Sequence, residues 1–239
     1  MDTPAAFSRR LRPVAVPTVA ALVAVVLFIY AGNWQRGKME QKTALRAQFD
    51  AGAVTAAVPL PDTAAWESWR YRAVSATGRF DASRQILLDN KVHAGRVGFD
   101  VVTPLRLDDG RVVLVNRGWV RGGASRADLP AVPPPPEHVV VQGRINLPTT
   151  AYLELSRGAP TGMVWQNLDP SRFAQVTGLP VLPVVVEQTA PLHAADLLQR
   201  NRAVPDFGIG KHRVYMLQWY AFATLAAGLW LFFTWRRRR

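Results

Sequence analysis

The chain has 239 residues, with 29 Lys and Arg against 17 Asp and Glu, a formal net charge of +12, and no cysteine. The absence of cysteine excludes disulfides, thiolate nucleophiles and thiolate sites for zinc or copper. The four histidines, His93, His138, His193 and His212, contain no pair at ligand spacing. The basic excess favours anionic lipid headgroups or an acidic partner face; nucleic acid fits poorly, because the arginines are dispersed and no groove-entering motif is present.

Residues 1–13 form a short tail that includes Arg9, Arg10 and Arg12. The next 18 residues, Val14 to Ala31, are almost wholly Ala, Val, Leu, Ile and Phe, with Pro17 in the first turn, where proline is tolerated. This predicts a first transmembrane helix over 14–32. The competing reading is a cleaved export signal, and Ser8-Arg9-Arg10-Leu11 hints at the twin-arginine kind. The apolar run is long for a signal core and Ala31-Gly32-Asn33 is a poor cleavage site, so an uncleaved anchor is favoured.

Residues 33–212 make the predicted extracytoplasmic domain. Trp34 to Phe49 is polar and helix-friendly apart from Gly37, and predicts a stalk that continues the membrane helix. Gly52 to Asp62 reads as irregular chain, broken by two prolines. β-Structure follows. Tyr71 to Phe80 alternates apolar and polar residues, with Gly78 as a bulge, and Gln85 to Leu88 is a short strand. Phe99 to Leu107 and Val112 to Val120 flank Asp108-Asp109-Gly110, a hairpin turn signal. Pro133 to Pro136 is an extended surface linker into the strand Val139 to Ile145. Met163 to Leu168 reads as a strand; Asp169 caps and Pro170 opens a short helix through Val176, and Val181 to Glu187 is the last strand. Several short strands with one small helix predict a mainly β, antiparallel barrel or sandwich.

The chain then returns to the membrane. Val214 to Trp235 is 22 residues without a formal charge, with Tyr215, Trp219 and Tyr220 near one end and Trp230 and Trp235 near the other. At 1.5 Å per residue that run spans roughly 30 Å, a bilayer's hydrocarbon core with its two aromatic belts. The second transmembrane helix is predicted over 213–235, followed by the basic tail 236–239. Ala20 with Ala24, Ala223 with Ala227, and Thr224 with Gly228 offer small residues four apart for close packing of the two helices, and Gln218 offers a hydrogen bond across them.

Two basic tails argue that both ends are cytoplasmic. Arg36, Lys38, Lys42, Arg46, Arg200, Arg202, Lys211 and Arg213 on the inner flanks nearly balance them. With the tail charges set aside, 22 basic residues face 16 acidic ones, about +6. The rule weights short segments, and a long connection translocates largely regardless of its charge, so the domain is expected outside the cytoplasm. Hydrolase chemistry is not supported, since GxSxG, HExxH and a set-off carboxylate pair are all absent from the sequence.

Five stretches in order resemble the surfeit locus protein 1 family of cytochrome c oxidase assembly factors. They are Gly32-Asn33-Trp34-Gln35-Arg36 with Lys38; Tyr71-Arg72 with Thr77-Gly78-Arg79-Phe80; Gly98 with Val102-Thr103-Pro104-Leu105; Leu114-Val115-Asn116-Arg117-Gly118-Trp119-Val120; and His212-Arg213-Val214-Tyr215 with Gln218-Trp219-Tyr220. The resemblance implies a non-enzymatic protein of the bacterial inner membrane with a periplasmic domain. It further implies haem a as a transient cofactor, the oxidase's catalytic subunit as partner, and a haem a synthase as a second partner. A membrane-tethered scaffold that never touches haem is the alternative.

His212 matches the family's proposed haem ligand at the head of the second helix. Here Lys211 and Arg213 flank it, where the family often has Asn and Leu. These neighbours favour the neutral, ligating imidazole and offer cations for propionates. Tyr215, Met216 and Trp219 continue its helical face into the bilayer. The bland alternative is an interfacial basic residue anchoring the helix. No second iron ligand is visible; Met216 lies on the same helix and is poorly placed for the opposite face. Arg117 reads as a guanidinium for a propionate or acidic loop, or as a structural residue where Asn116 and Gly118 shape a strand end; the structural reading is preferred. Trp34-Gln35-Arg36 faces the His212 region if the helices pack side by side. His93, His138 and His193 read as loop or strand-edge residues.

Overall fold

A computed structural model describes residues 5–123, 128–148, 162–193, 196–201 and 204–236, with side chains from residue 15 onward. Arg202 and Arg237 to Arg239, and the side chains of Arg9, Arg10 and Arg12, lie outside that description. Two compact units result, one of Met1–Ala47 with Pro205–Arg239 and one of Gln48–Val204.

The first unit is built on two helices, α1 (Ala5–Val54) and α3 (Ile209–Arg236). Both are long and apolar enough to cross a membrane, and hardly any of their apolar length is covered by protein. The predicted stalk is the continuation of α1: Gly37 sits within it, with open space where a Cβ would be. The helix also takes in the start of the expected irregular stretch, ending at Val54.

The second unit is mainly β. Its strands are β1 (Val58–Pro59), β2 (Ala73–Phe80), β3 (Ile86–His93), β4 (Arg96–Leu107), β5 (Val112–Arg121), β6 (Val139–Asn146), β7 (Val164–Trp165) and β8 (Val185–Gln188), with the helix α2 (Pro170–Thr177) between the last two. The pairings β2–β6, β2–β4, β3–β4, β4–β5 and β6–β8 are antiparallel as expected. Three others, β1–β2, β3–β7 and β5–β8, are parallel, which makes the sheet mixed. Because β2 pairs with β6 and also with β4, the pairings β2–β6–β8–β5–β4 close into a ring.

One face of that ring holds the largest apolar cluster, with Val74, Ala76, Leu105, Val113, Val115, Val141, Ile145 and Val186 among its members. A second cluster covers other faces of the same strands: Val102, Leu114 and Val185 pack with Trp165 and Phe173 of β7 and α2. β5 is therefore buried on both faces, which explains why it reads as an unbroken apolar run rather than an alternation. α2 starts as its sequence requires, with Asp169 Oδ1 accepting from the amides of Ser171 and Arg172, and it ends on Gly178 in the left-handed region.

Gly78 is not a bulge. It pairs in register with Val139 on one side and Leu107 on the other, at the point where β2 passes from one partner to the next. A Cβ there would lie 2.1 Å from the Arg106 carbonyl oxygen, so the close crossing of two strands, not an extra residue, demands glycine. The bulge lies instead in β5. Val101 pairs with Gly118 and Val102 with Asn116, so Arg117 is the inserted residue. Gly118 takes φ +138° and its amide donates to Asn116 Oδ1 at 3.1 Å. Asn116 and Gly118 thus shape a mid-strand kink rather than a strand end.

Candidate functional site

α1 and α3 pack antiparallel. At one end Trp230 Nε1 donates to Thr18 Oγ1 at 3.1 Å, and at the other His212 Nδ1 lies 2.7 Å from Gln35 Oε1. On α1 the protein-covered positions include Thr18, Ala21, Val25, Phe28, Gly32 and Gln35; on α3 they include His212, Met216, Trp219, Ala223, Ala226 and Trp230. Both sets step alternately by three and four residues, the spacing of a left-handed helix pair.

Two contacts fix the register near the His212 end. Gly32 lets Tyr220 close in, since a Cβ at 32 would lie 2.5 Å from Tyr220 Cε1. Tyr220 then donates its hydroxyl proton to Asn33 Oδ1 at 2.8 Å. Deeper along the pair, Phe28 packs between Trp219 and Phe222, with ring centroids 5.8 and 5.7 Å away. The expected packing residues are partly corrected. Ala24, Ala223 and Ala227 lie at least partly covered, whereas Ala20, Thr224 and Gly228 are exposed. Gln218 is exposed too, and the cross-helix hydrogen bonds come from His212, Tyr220 and Trp230 instead.

Around His212 the surface is cationic. Lys211 and Arg213 are exposed and Lys38 is half-buried, and among the described residues none of the three has an ion-pair partner. Arg36 pairs with Glu40 at 3.5 Å, one turn along its own helix, where both side chains are exposed and the pair contributes little. Trp34 is 53% exposed, so of the Trp34-Gln35-Arg36 stretch it is Gln35 that reaches the histidine. In the Nδ1–H tautomer Gln35 Oε1 accepts the ring proton and the lone pair lies on Nε2, which has no partner among the described residues. The donor set is therefore one imidazole nitrogen beside free cations and exposed aromatic surface, which suits an iron macrocycle carrying carboxylates. Met216 lies partly covered one turn on in the same helix.

Arg117 lies elsewhere, in the interior of the β unit. It is 2% exposed, donates to Gln85 Oε1 at 3.1 Å and to the Pro133 carbonyl at 3.3 Å, and lies over the Phe80 ring. Burial pushes its guanidinium below the usual range; the Asp196 carboxylate opposes that shift and Arg200 adds to it. Asp196 and Arg200 form a buried ion pair, with side chains 4% and 7% exposed, that sequence reading did not anticipate. Their segment is held against the β5 kink by paired backbone bonds between Trp119 and Gln199, 2.7 and 2.8 Å long. The remaining histidines match their bland readings: His93 packs by Trp119, His138 pairs with the exposed Asp108, and His193 is exposed. Among the described residues no group of three or more His, Asp or Glu could hold a metal ion.

Two helices long and apolar enough to cross a membrane, one near each end of a mainly β domain, define the class as a β domain with membrane-anchor helices. The profile of the SURF1 family matches residues 22–224, and the chain belongs to that family. It is 27% identical over 162 residues to the cytochrome oxidase assembly protein SHY1 of Saccharomyces cerevisiae, covering 64% of this chain and 42% of that one. It is 25% identical over 215 residues to surfeit locus protein 1 of Mus musculus, covering 83% and 69%. To a SURF1-like protein of Rickettsia bellii it is 23% identical over 163 residues, covering 67% and 66%. The chain thus spans less than half the length of the yeast protein and about two thirds of the other two.

Proposed function

We propose that this chain is a non-catalytic assembly factor for cytochrome c oxidase that assists delivery of haem a to the catalytic subunit, with His212 as the iron ligand. The supporting observation is the His212–Gln35 contact at 2.7 Å at a cationic helix end, which in the Nδ1–H tautomer leaves Nε2 as the donor atom. The assembly role comes from the family and from the printed name of the yeast relative. Haem, if bound, would supply an iron that a nitrogen donor of this chain, His212, would hold. The chain's own contribution is an imidazole nitrogen, cations at Lys38, Lys211 and Arg213 for propionates, and an apolar helix face continuing into lipid. Arg117, enclosed in the β unit, is assigned to folding rather than to the ligand.

The same reading places the chain in a bacterial inner membrane, with both ends cytoplasmic and the β unit periplasmic. The antiparallel helix pair supports this, because it brings residues 18 and 230 to one end and residues 35 and 212 to the other. A haem a synthase is the fitting donor and the oxidase's catalytic subunit the acceptor. The test is a strain lacking this chain. Oxidase carrying haem a should fall, recover with the wild-type chain, and fail to recover with His212→Ala present at equal abundance. Full recovery with His212→Ala would leave a scaffold that does not use this ligand.

A further inference from the structure

We infer that Gln35 is a positioning residue: it accepts the Nδ1 proton of His212 from across the helix pair, fixes the imidazole tautomer, and presents Nε2 as the donor atom. The inference deepens the haem reading above and rests on it only for the identity of the ligand; the tautomer itself is independent of haem.

The geometry behind it is local. An isolated imidazole exchanges its proton between two nitrogens and turns about its side-chain torsions. A donor atom for iron needs a lone pair at one defined nitrogen, aimed in one direction, and a hydrogen bond at the other nitrogen supplies both constraints. Gln35 Oε1 stands 2.7 Å from Nδ1, and both side chains are partly covered by the helix pair. The position of Gln35 is set by the helix register rather than by its own flexible stem. Gly32, one turn earlier on α1, is closed against the Tyr220 ring, and Asn33 accepts from the Tyr220 hydroxyl at 2.8 Å. A neutral amide also differs from the carboxylate that orients many ligating histidines, because it takes the N–H bond without drawing a second proton onto the ring. Were the amide NH₂ group turned toward Nδ1 instead, the ring proton would have to sit on Nε2, and no lone pair would be offered. The tautomer is therefore the observable that decides the matter.

The experiment uses the full chain in lipid nanodiscs with ¹⁵N-labelled histidine. It compares wild type, Gln35→Leu and Gln35→Glu by two-bond ¹⁵N–¹H correlation at a pH where His212 is neutral, with His212→Ala identifying the signal. Wild type is expected to show the Nδ1–H tautomer. Gln35→Leu is expected to move His212 toward Nε2–H or a mixture, while Gln35→Glu keeps an acceptor and restores Nδ1–H. Titration with ferric haem a should then show Gln35→Leu binding about 10- to 100-fold more weakly, the usual consequence of losing a residue that orients a metal ligand, with Gln35→Glu recovering that loss at a pH high enough to keep its histidine from taking up the second proton a carboxylate favours. An Nε2–H tautomer in wild type, or an Nδ1–H tautomer that persists in Gln35→Leu, overturns the assignment. If wild type shows the predicted tautomer yet binds no haem a, the positioning role stands and the haem reading falls.

Discussion

Removing Asp196 should cost the β unit more than any surface charge change. Its carboxylate is 4% exposed and paired with Arg200, itself 7% exposed, and it opposes the lowering of Arg117. It also accepts from the Leu198 amide at 3.2 Å, so it shapes the segment that meets the β5 kink. Asp196→Ala leaves Arg200 buried, with its Nε lacking a hydrogen-bond partner, beside a second buried guanidinium whose Nε also lacks one. Breaking a buried pair by removing one partner costs about 3–5 kcal/mol. A domain of this size loses about 2–4 °C of Tm per kcal/mol, so the drop should be roughly 6–20 °C. Thermal unfolding of the full chain in detergent, followed by near-ultraviolet circular dichroism, measures it. The double variant Asp196→Ala/Arg200→Leu removes the orphaned charge and should regain most of the loss, because an apolar replacement of a buried pair is often neutral. A single variant within about 2 °C of wild type, or a double variant no better than the single, refutes the reasoning.

Three further outcomes follow from particular contacts. Gly78→Ala forces a Cβ to within 2.1 Å of a backbone oxygen that cannot swing away, and should destabilise by about 3 kcal/mol or more in denaturant titration. Gly37→Ala, with open space at its Cβ inside a helix, should be neutral or stabilising. Burial works to raise the Asp81 carboxyl, but hydrogen bonds from Ser83, Arg84 and Arg106 outweigh it and hold the group below its ordinary value. A carboxyl lowered in the folded state contributes stability that is complete above its unfolded pKa of about 3.9 and is lost as pH falls through the folded value. The urea midpoint should therefore drop as pH falls below about 4, and Asp81→Asn should flatten that slope.

What the sequence revealed divides by range. The two long helices are legible because an unbroken apolar run of 18 to 22 residues decides the matter by itself. The Asp108-Asp109-Gly110 turn and the Asp169-Pro170 cap are equally legible, since each acts on backbone within three residues of it. Gly78 was misread because a glycine inside an alternating strand has the same local signature at a bulge and at a crossing; only the Arg106 carbonyl, far along the chain, tells them apart. The NRGW kink was hidden for the opposite reason. Arg117 falls in a run that reads as strand on both sides, and its side chain turns inward only because Val101 and Val102 pair around it. The three parallel strands have two to four residues each, too few for periodicity to register a direction. At the candidate site, His212 is visible from its place at the head of an apolar helix. Its orientation by Gln35, 177 residues away, depends on which helix faces meet.

The most direct test of the account is the absorption and pyridine-haemochrome spectrum of the full chain, purified in detergent from cells that make haem a, beside His212→Ala purified in the same way. Haem a present in the wild-type protein and lost from the variant is the predicted result. A wild-type protein free of haem a, from cells shown to contain it, would contradict the claim that this chain carries haem to the oxidase.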